Sequence, residues 1–263
     1  MLTSFSIKSL YALALAEGEG VGTAYEYYAK RLALGRWLKQ VGRPKRMLVA
    51  GLPQKYGSSL DFLLLAEELG AEVTVADERP FALDKLQSSL EAARAVGWLT
   101  AVFPHTCLVA NLADLSEIDG PFDLCISAEM LQRMAPADRP RYAARLRELG
   151  TAVALFAPNE DNPAHTRISG LDGLTLAELQ SLFPTSHQPP AIGYIDMPPF
   201  PPGIIRSEEQ RAQATSGKLE AFAMWGLGYY ARMEHWLPTA VRRRQSHIVY
   251  ALDGSRLPVA GSR

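Results

Sequence analysis

Residues 46–77, RMLVAGLPQKYGSSLDFLLLAEELGAEVTVAD, constrain the fold of this chain more than any other stretch. A short apolar run, Met47 to Ala50, ends in Gly51. A loop with a second glycine, Gly57, comes next, then a helical pattern, a second apolar run around Val73 and Val75, and an acid, Asp77. Short apolar runs suit strands covered on both faces, and the length between them suits a crossover helix. The segment therefore predicts strand, turn, helix, strand. In such a unit the glycine turn lets a ligand approach the backbone, and an acid at the tip of the second strand accepts hydrogen bonds from two ribose hydroxyls. Asp77 stands 20 residues after Gly57, the spacing ribose recognition uses. There is no intact G-x-G-x-x-G, and a purely structural turn needs glycine too.

The alternation continues beyond this unit. Strands are expected at 46–50, 72–76, 99–103, 122–127 and 151–157, with helices at 58–69, 80–96 and 137–149. Strand and helix in turn imply right-handed crossovers and a mostly parallel sheet. Ahead of this lie two helices. One carries Phe5, Ile7, Leu10, Leu13 and Ala14 on a stripe; the other, 24–40, carries Tyr25, Tyr28, Leu32 and Trp37. After Ala157 the pattern predicts a loop over 158–172, a helix over 175–183 capped by Asp172 or Thr175, and a strand over 191–197. The PPFPPG run, a long helical stretch over 207–236, a final strand over 246–252 and a loose tail complete the chain.

At 263 residues a core of good size is attainable, and a formal net charge of −1 does not provide a broad electrostatic footprint for nucleic acid. The two cysteines, Cys107 and Cys125, lie in apolar runs and read as buried thiols; no zinc spacing occurs. No run is long and apolar enough for a membrane span, the first residues read as an amphipathic helix, and a cytoplasmic location is the default expectation.

In this order the motifs resemble the class I S-adenosylmethionine-dependent methyltransferases, in particular their small-molecule branch. Val49-Ala50-Gly51 stands where that family has its first glycine-rich motif, and Asp77 where its acid holds the cofactor ribose. Asn111 to Leu115 occupies the turn that flanks the adenine. Phe122 to Leu131 resembles the fourth strand and the residues after it, 150–159 the fifth strand, and LTLAELQSLF the next helix. The resemblance implies a Rossmann-like α/β fold: a mostly parallel seven-stranded sheet with helices on both faces, an N-terminal helical lid (1–44), a cofactor-binding domain (45–197 and 246–253) and a helical insert before the last strand (198–245). It implies S-adenosylmethionine as cofactor, held by Gly51, Leu52, Pro53, Gly57, Asp77, Glu78, Asn111, Leu112, Ala128 and Glu129. The family's acid two residues before the first glycine is replaced by Val49, and its glycine cluster is thinned to Gly51 and Gly57.

Methyl transfer needs the acceptor atom placed in line with the departing sulfur, and oxygen or carbon acceptors often need a base. His165, in the loop after the fifth strand, is the candidate base, weighed against a solvated loop histidine. Tyr25, Tyr28 and His105 are candidate acceptor contacts, as are Trp225 and Tyr229 in the aromatic insert; core packing and turn roles are the alternatives. Lys55 reads equally as an anion contact and a solvated lysine, and Asp123 as a residue of the fold. The insert suits an acceptor pocket, a homodimer interface or plain helix packing. Two other classes stand beside a methyltransferase acting on oxygen or carbon of a small, partly apolar acceptor. One is a non-catalytic member of the same fold serving as a binding or scaffold subunit, supported by the altered glycine motif. The other, a nicotinamide-dependent oxidoreductase, lacks both the glycine fingerprint and a Tyr-x-x-x-Lys pair.

Overall fold

Alternate residues of each central strand point to opposite faces, and both faces here are apolar. Met47 and Val49 of β1 (Arg46–Ala50) join one buried cluster, and Leu48 and Ala50 join the other. The computed structural model describes residues 6–54, 57–170, 172–183, 189–199 and 218–254. Expectations for Phe5, Lys55, most of the PPFPPG run, residues 207–217 and the tail beyond 254 fall outside the described residues.

The seven strands are β1, β2 (Glu72–Asp77), β3 (His105–Leu108), β4 (Phe122–Ala128), β5 (Gly150–Pro158), β6 (Ala191–Ile195) and β7 (Ile248–Gly254). They lie in the order β3-β2-β1-β4-β5-β7-β6. The first five are mutually parallel, and β7 runs antiparallel to both β5 and β6. This is the mostly parallel, Rossmann-like sheet the sequence predicts. The order reverses between β1 and β4, which makes the carboxyl ends of those strands the switch point where open α/β sheets bind ligands.

One expected strand moves. Residues 99–103 carry no strand, and the edge strand is instead β3, parallel to β2 in the register Thr74 to His105 and Asp77 to Leu108. Leu99 takes a positive φ of 54°, which breaks extended structure, while its side chain is buried in the core. β3 itself is largely exposed, so it lacks the apolar run that betrays its inner neighbours.

α1 (Ile7–Ala16), α2 (Val21–Val41), α3 (Leu60–Leu69) and α4 (Pro80–Ala95) contribute to one apolar cluster; α5 (Arg139–Leu149) and α7 (Leu176–Ser181) contribute to the other. A short α6 (Pro163–Ser169) forms within the stretch expected to be loop. Thr175 caps α7 through a capping box with Glu178, and Asp123 accepts from the backbone amides of Lys45 and Arg46, as a residue of the fold would. Cys125 is a buried free thiol, whereas Cys107 is half-buried. Before β7 come α8 (Lys218–Met233), a 3-10 turn (Glu234–Trp236) and α9 (Thr239–Gln245). Among the described residues no helix is long and apolar enough to cross a membrane.

Candidate functional site

The β1 turn needs two left-handed residues, Gly51 (φ 81°) and Gly57 (φ 66°), which glycine supplies without strain. Between them the Leu52 amide donates to Asp77 Oδ2 at 2.7 Å, drawing the acid of β2 onto the turn. Glu78 accepts from the Leu112 amide at 3.1 Å and brings the turn after β3 alongside. Tyr142 supports the arrangement from below. Its hydroxyl lies 2.8 Å from the Ala50 carbonyl and 2.8 Å from Ser127 Oγ, joining α5 to the ends of β1 and β4. The structure thus gathers Gly51, Leu52, Asp77, Glu78 and Leu112 at the switch point. Val49 pairs with Ile126, which sets Ala128 and Glu129 level with the turn. Pro53 follows Leu52 there, partly buried. Asn111 is exposed, and its Oδ1 accepts from the Ala113 amide of its own loop at 2.8 Å.

Residue types and arrangement answer differently to a nucleoside. An ionised carboxylate has about four acceptor positions, and Asp77 spends four. Oδ1 accepts from the Arg79 amide and Nε, each at 2.8 Å; Oδ2 accepts from Leu52 N at 2.7 Å and Arg79 Nη2 at 2.9 Å. Burial raises the Asp77 pKa, but these donors outweigh it and hold the carboxyl below its ordinary range. The Leu52 carbonyl accepts from both Arg79 Nη2 (2.6 Å) and Arg133 Nη1 (3.2 Å). Met130 covers the glycine: a methyl group placed on Gly51 would lie 2.5 Å from its Sδ. In this arrangement Asp77 and the turn are satisfied by the chain's own side chains.

The start of α3 is filled in the same way. The Glu17 carboxylate, from the α1–α2 loop, accepts from Ser58 N (2.6 Å), Leu60 N (3.3 Å) and the Tyr27 hydroxyl, and Glu19 accepts from Gly57 N (3.2 Å). Amides at a helix start favour an anion, and here two glutamates of the N-terminal segment supply it. Burial outweighs these bonds and raises the Glu17 pKa to about 7.

Beneath α2 lies a buried ionic cluster. Lys30, 2% exposed, sits 3.0 Å from Glu26 and 3.3 Å from Asp61. Burial opposes its charge, yet Asp61 and Glu26 raise its pKa overall, so it remains a cation. Burial also pushes Glu129 up to about 8. Glu129 Oε2 and both polar atoms of Gln132 are buried without a hydrogen-bond partner. Buried polar groups are nearly always paired, so these atoms at the end of β4 are left open to a further polar partner. Glu129 itself takes a positive φ of 57°, which turns the chain sharply out of the sheet at this point.

The candidate base lies differently from its expected place. His165 is not a solvated loop residue. It starts α6, stacks on His247 with ring centroids 4.0 Å apart, and burial lowers its pKa to about 3, so it is a neutral, weak base. The stronger proton acceptor is its neighbour. His247 Nδ1 lies 3.1 Å from Asp196 Oδ2; burial depresses the His247 pKa, and the Asp196 carboxylate outweighs burial and raises it. Ile248 pairs with Pro158, so this couple stands at the carboxyl end of β5, on the same edge as Asp77. Asp196 carries no signal in the sequence, and the sequence pattern alone reads His247 as structural or surface.

The structure places the five candidate acceptor contacts on three separate elements, β3, α2 and α8. His105 opens β3 and so lies at the amino edge, beside a groove of about 580 Å³ lined also by Arg46, Glu72 and Phe122, the first residues of β1, β2 and β4. A parallel strand carries its first residue to the end opposite the crevice. Tyr25 is fully buried and donates to Glu234, which also accepts from Met197 N at 2.9 Å; it ties α2 to the 3-10 turn after α8. Trp225 and Tyr229 are 65% and 56% exposed, on the outside of α8. Tyr28, buried, accepts from Arg232 Nε at 2.7 Å and packs α2 on α8. Arg79, Met130, Arg133, Glu17, Lys30 and Gln132 were missed. The signal within reach was Arg79 itself, two residues past the acid, where a guanidinium folds back readily. Among the described residues no group of three or more His, Cys, Asp or Glu is placed to hold a metal ion.

No protein-family model matches the chain, and no curated protein matches it. Solved structures are similar at low identity. N-methyltransferase NodS from Bradyrhizobium japonicum WM9, in complex with S-adenosyl-L-homocysteine, is 12% identical over 86% of this chain and 82% of its own, with a TM-score of 0.45. Magnesium protoporphyrin IX methyltransferase (ChlM) from Synechocystis PCC 6803, with bound SAH, is 12% identical over 89% and 86%, with a TM-score of 0.49. The 1,6-didemethyltoxoflavin-N1-methyltransferase of Burkholderia thailandensis is 17% identical over 87% and 79%, with a TM-score of 0.47. Likenesses this distant carry no function across, and the Rossmann-like fold stands on the chain's own strand order.

Proposed function

We propose that this chain is an S-adenosylmethionine-dependent methyltransferase acting on oxygen or carbon of a small, partly apolar acceptor. The observation that carries the reading is the pair of orphaned side chains, Glu129 and Gln132, at the end of β4. They stand at the switch point where Asp77 is drawn onto the glycine turn. The types of residue suit a nucleoside with an amino-acid end: an acid for ribose, unpaired polar groups for the remainder. Their arrangement requires Arg79 and Met130 to withdraw first, so no step of transfer is derived from it.

A second reading has its own support. Asp77, with four donors, is spent as a structural acid, and Glu17 and Glu19 complete the start of α3. A non-catalytic protein of this fold would look the same.

Titration calorimetry of the purified chain with S-adenosylmethionine and S-adenosylhomocysteine, against nicotinamide dinucleotides, separates the two. Micromolar binding of the sulfur ligands, lost in Asp77→Ala, is the expected result. Absence of binding in both the native chain and Arg79→Ala would replace the enzyme reading with the non-catalytic one.

A further inference from the structure

The insert presents an outer face that the proposed site does not use. On α8 and the 3-10 turn after it, Phe222 (68% exposed), Trp225 (65%), Tyr229 (56%), Met233 (38%) and Trp236 (71%) stand out from the surface. At about 100° per residue these five positions fall within an arc of about 80°. Their rings form a ladder, Phe222 on Trp225 at 5.7 Å and Trp225 on Tyr229 at 6.1 Å. The other side of the helix is the packed one: Met224 and Ala231 are buried in the core, and Tyr230 lies against Tyr25. The ladder is therefore surplus to holding α8 in place.

The charge of the same strip is one-sided. Residues 222–245 contain Arg232, Arg242, Arg243 and Arg244 against one acid, Glu234, in a chain whose formal net charge is −1. Glu234 is buried and accepts from Tyr25 and from Met197 N, so it does not reach the outer surface. Arg243 and Arg244 are exposed on α9, with Val241, 42% exposed, beside them; Arg243 pairs with Asp161 at 2.7 Å.

We propose that this strip docks the protein on an anionic phospholipid surface, the aromatic ladder entering the headgroup boundary and the arginines of α9 meeting lipid phosphates. Amphipathic aromatics on one arc and a basic helix following closely in the chain, with no exposed acid among residues 222–245, are the composition of an interfacial segment. A second copy of this chain fits less well. A two-fold interface sets a patch against itself, so Arg244 and its neighbours would meet the same basic residues of the other copy, with no exposed acid among residues 222–245 to answer them. An acceptor pocket fits less well again, since rings more than half exposed enclose nothing. The proposal is independent of the chemistry at the switch point.

The test is sedimentation of the full chain with sucrose-loaded vesicles of phosphatidylcholine alone and of phosphatidylcholine with phosphatidylglycerol, at low and high salt. The expected result is binding that requires phosphatidylglycerol and weakens with salt. It should drop at least tenfold in W225A/W236A, and by roughly fivefold per arginine removed in R243Q and R244Q. These side chains are on the surface, and circular dichroism of each variant confirms that the fold is retained. Equal sedimentation of W225A/W236A and the native chain would overturn the assignment of the patch. No binding to the anionic vesicles would overturn the proposal. If ultracentrifugation then showed a dimer that W225A/W236A dissociates, the occupant would be a second copy.

Discussion

The Arg79 guanidinium lies along the Asp77 carboxylate, Nε 2.8 Å from Oδ1 and Nη2 2.9 Å from Oδ2. Two residues apart in sequence, they close the carboxyl end of β2 by forming a pair. The donor that satisfies the acid is thus local, and its removal is the direct way to expose it.

Arg79→Ala should have opposite effects on stability and on binding. Removing one member of a buried pair costs about 3 kcal/mol, because Asp77 keeps its charge with fewer donors. In the proposed enzyme the same change frees two acceptor positions for ribose, and S-adenosylhomocysteine affinity should rise about tenfold. Urea unfolding and calorimetry measure the two effects; a loss of both stability and affinity would show that Arg79 helps to hold the ligand.

Glu17 makes docking of the N-terminal helices dependent on pH. Its pKa in the folded chain, about 7, lies above its ordinary 4.5. The stability it contributes is therefore complete below about pH 4.5 and lost as pH rises through 7. Tyr27, Asp61 and Glu19 surround it, and Lys85 binds the nearby Gly57 carbonyl at 3.2 Å. Glu17→Gln should flatten the pH dependence of unfolding between pH 5 and 8 by on the order of 3 kcal/mol. A profile unchanged by the substitution would place the titration elsewhere.

Lys30→Met should be among the most damaging single changes. It leaves Glu26 and Asp61 under α2 without their buried cation, at a cost of about 3–5 kcal/mol. Denaturant midpoints of Lys30→Met and of the double variant Lys30→Met, Asp61→Leu test this. The second should recover part of the loss, because it removes the acid left unpaired. Equal losses would mean that the cluster is held by other partners.

The histidine couple can be read by NMR titration. His247 should titrate above its ordinary 6.5, and His165 should stay neutral down to about pH 3. Asp196→Asn should bring His247 below 6.5, since burial then acts without the opposing carboxylate. Because the His247 pKa is raised, its stabilising pairing is present below pH 6.5 and fades as pH passes above the folded value. A His247 pKa unmoved in Asp196→Asn would deny the carboxylate this role.

Much of the scaffold was legible because it rests on local or periodic signals. Short, nearly continuous apolar runs located β1, β2, β4 and β5, the glycines located the turn, and the spacing from Gly57 located the acid at the tip of β2. β3 was misplaced because an exposed edge strand carries no such pattern, while the apolar residues before it, Leu99 and Val102, pack into the core without a strand. The site was legible as a place and not as an arrangement. His165 follows β5 as expected, but its helical placement, its stacking on His247 and the hold of Asp196 on His247 depend on β6 and β7 returning beside β5.

The sequence by itself determined the order of strands and helices, the glycine turn and the acid beside it, since these follow from steric and hydrophobic rules acting within about thirty residues. Tertiary structure alone decided what fills the crevice. Glu17 reaches Ser58 across 41 positions and Tyr25 reaches Glu234 across 209. Contacts of that span are selected by packing and by the need to satisfy every buried polar group, and neither leaves a mark in the spacing of residues along the chain.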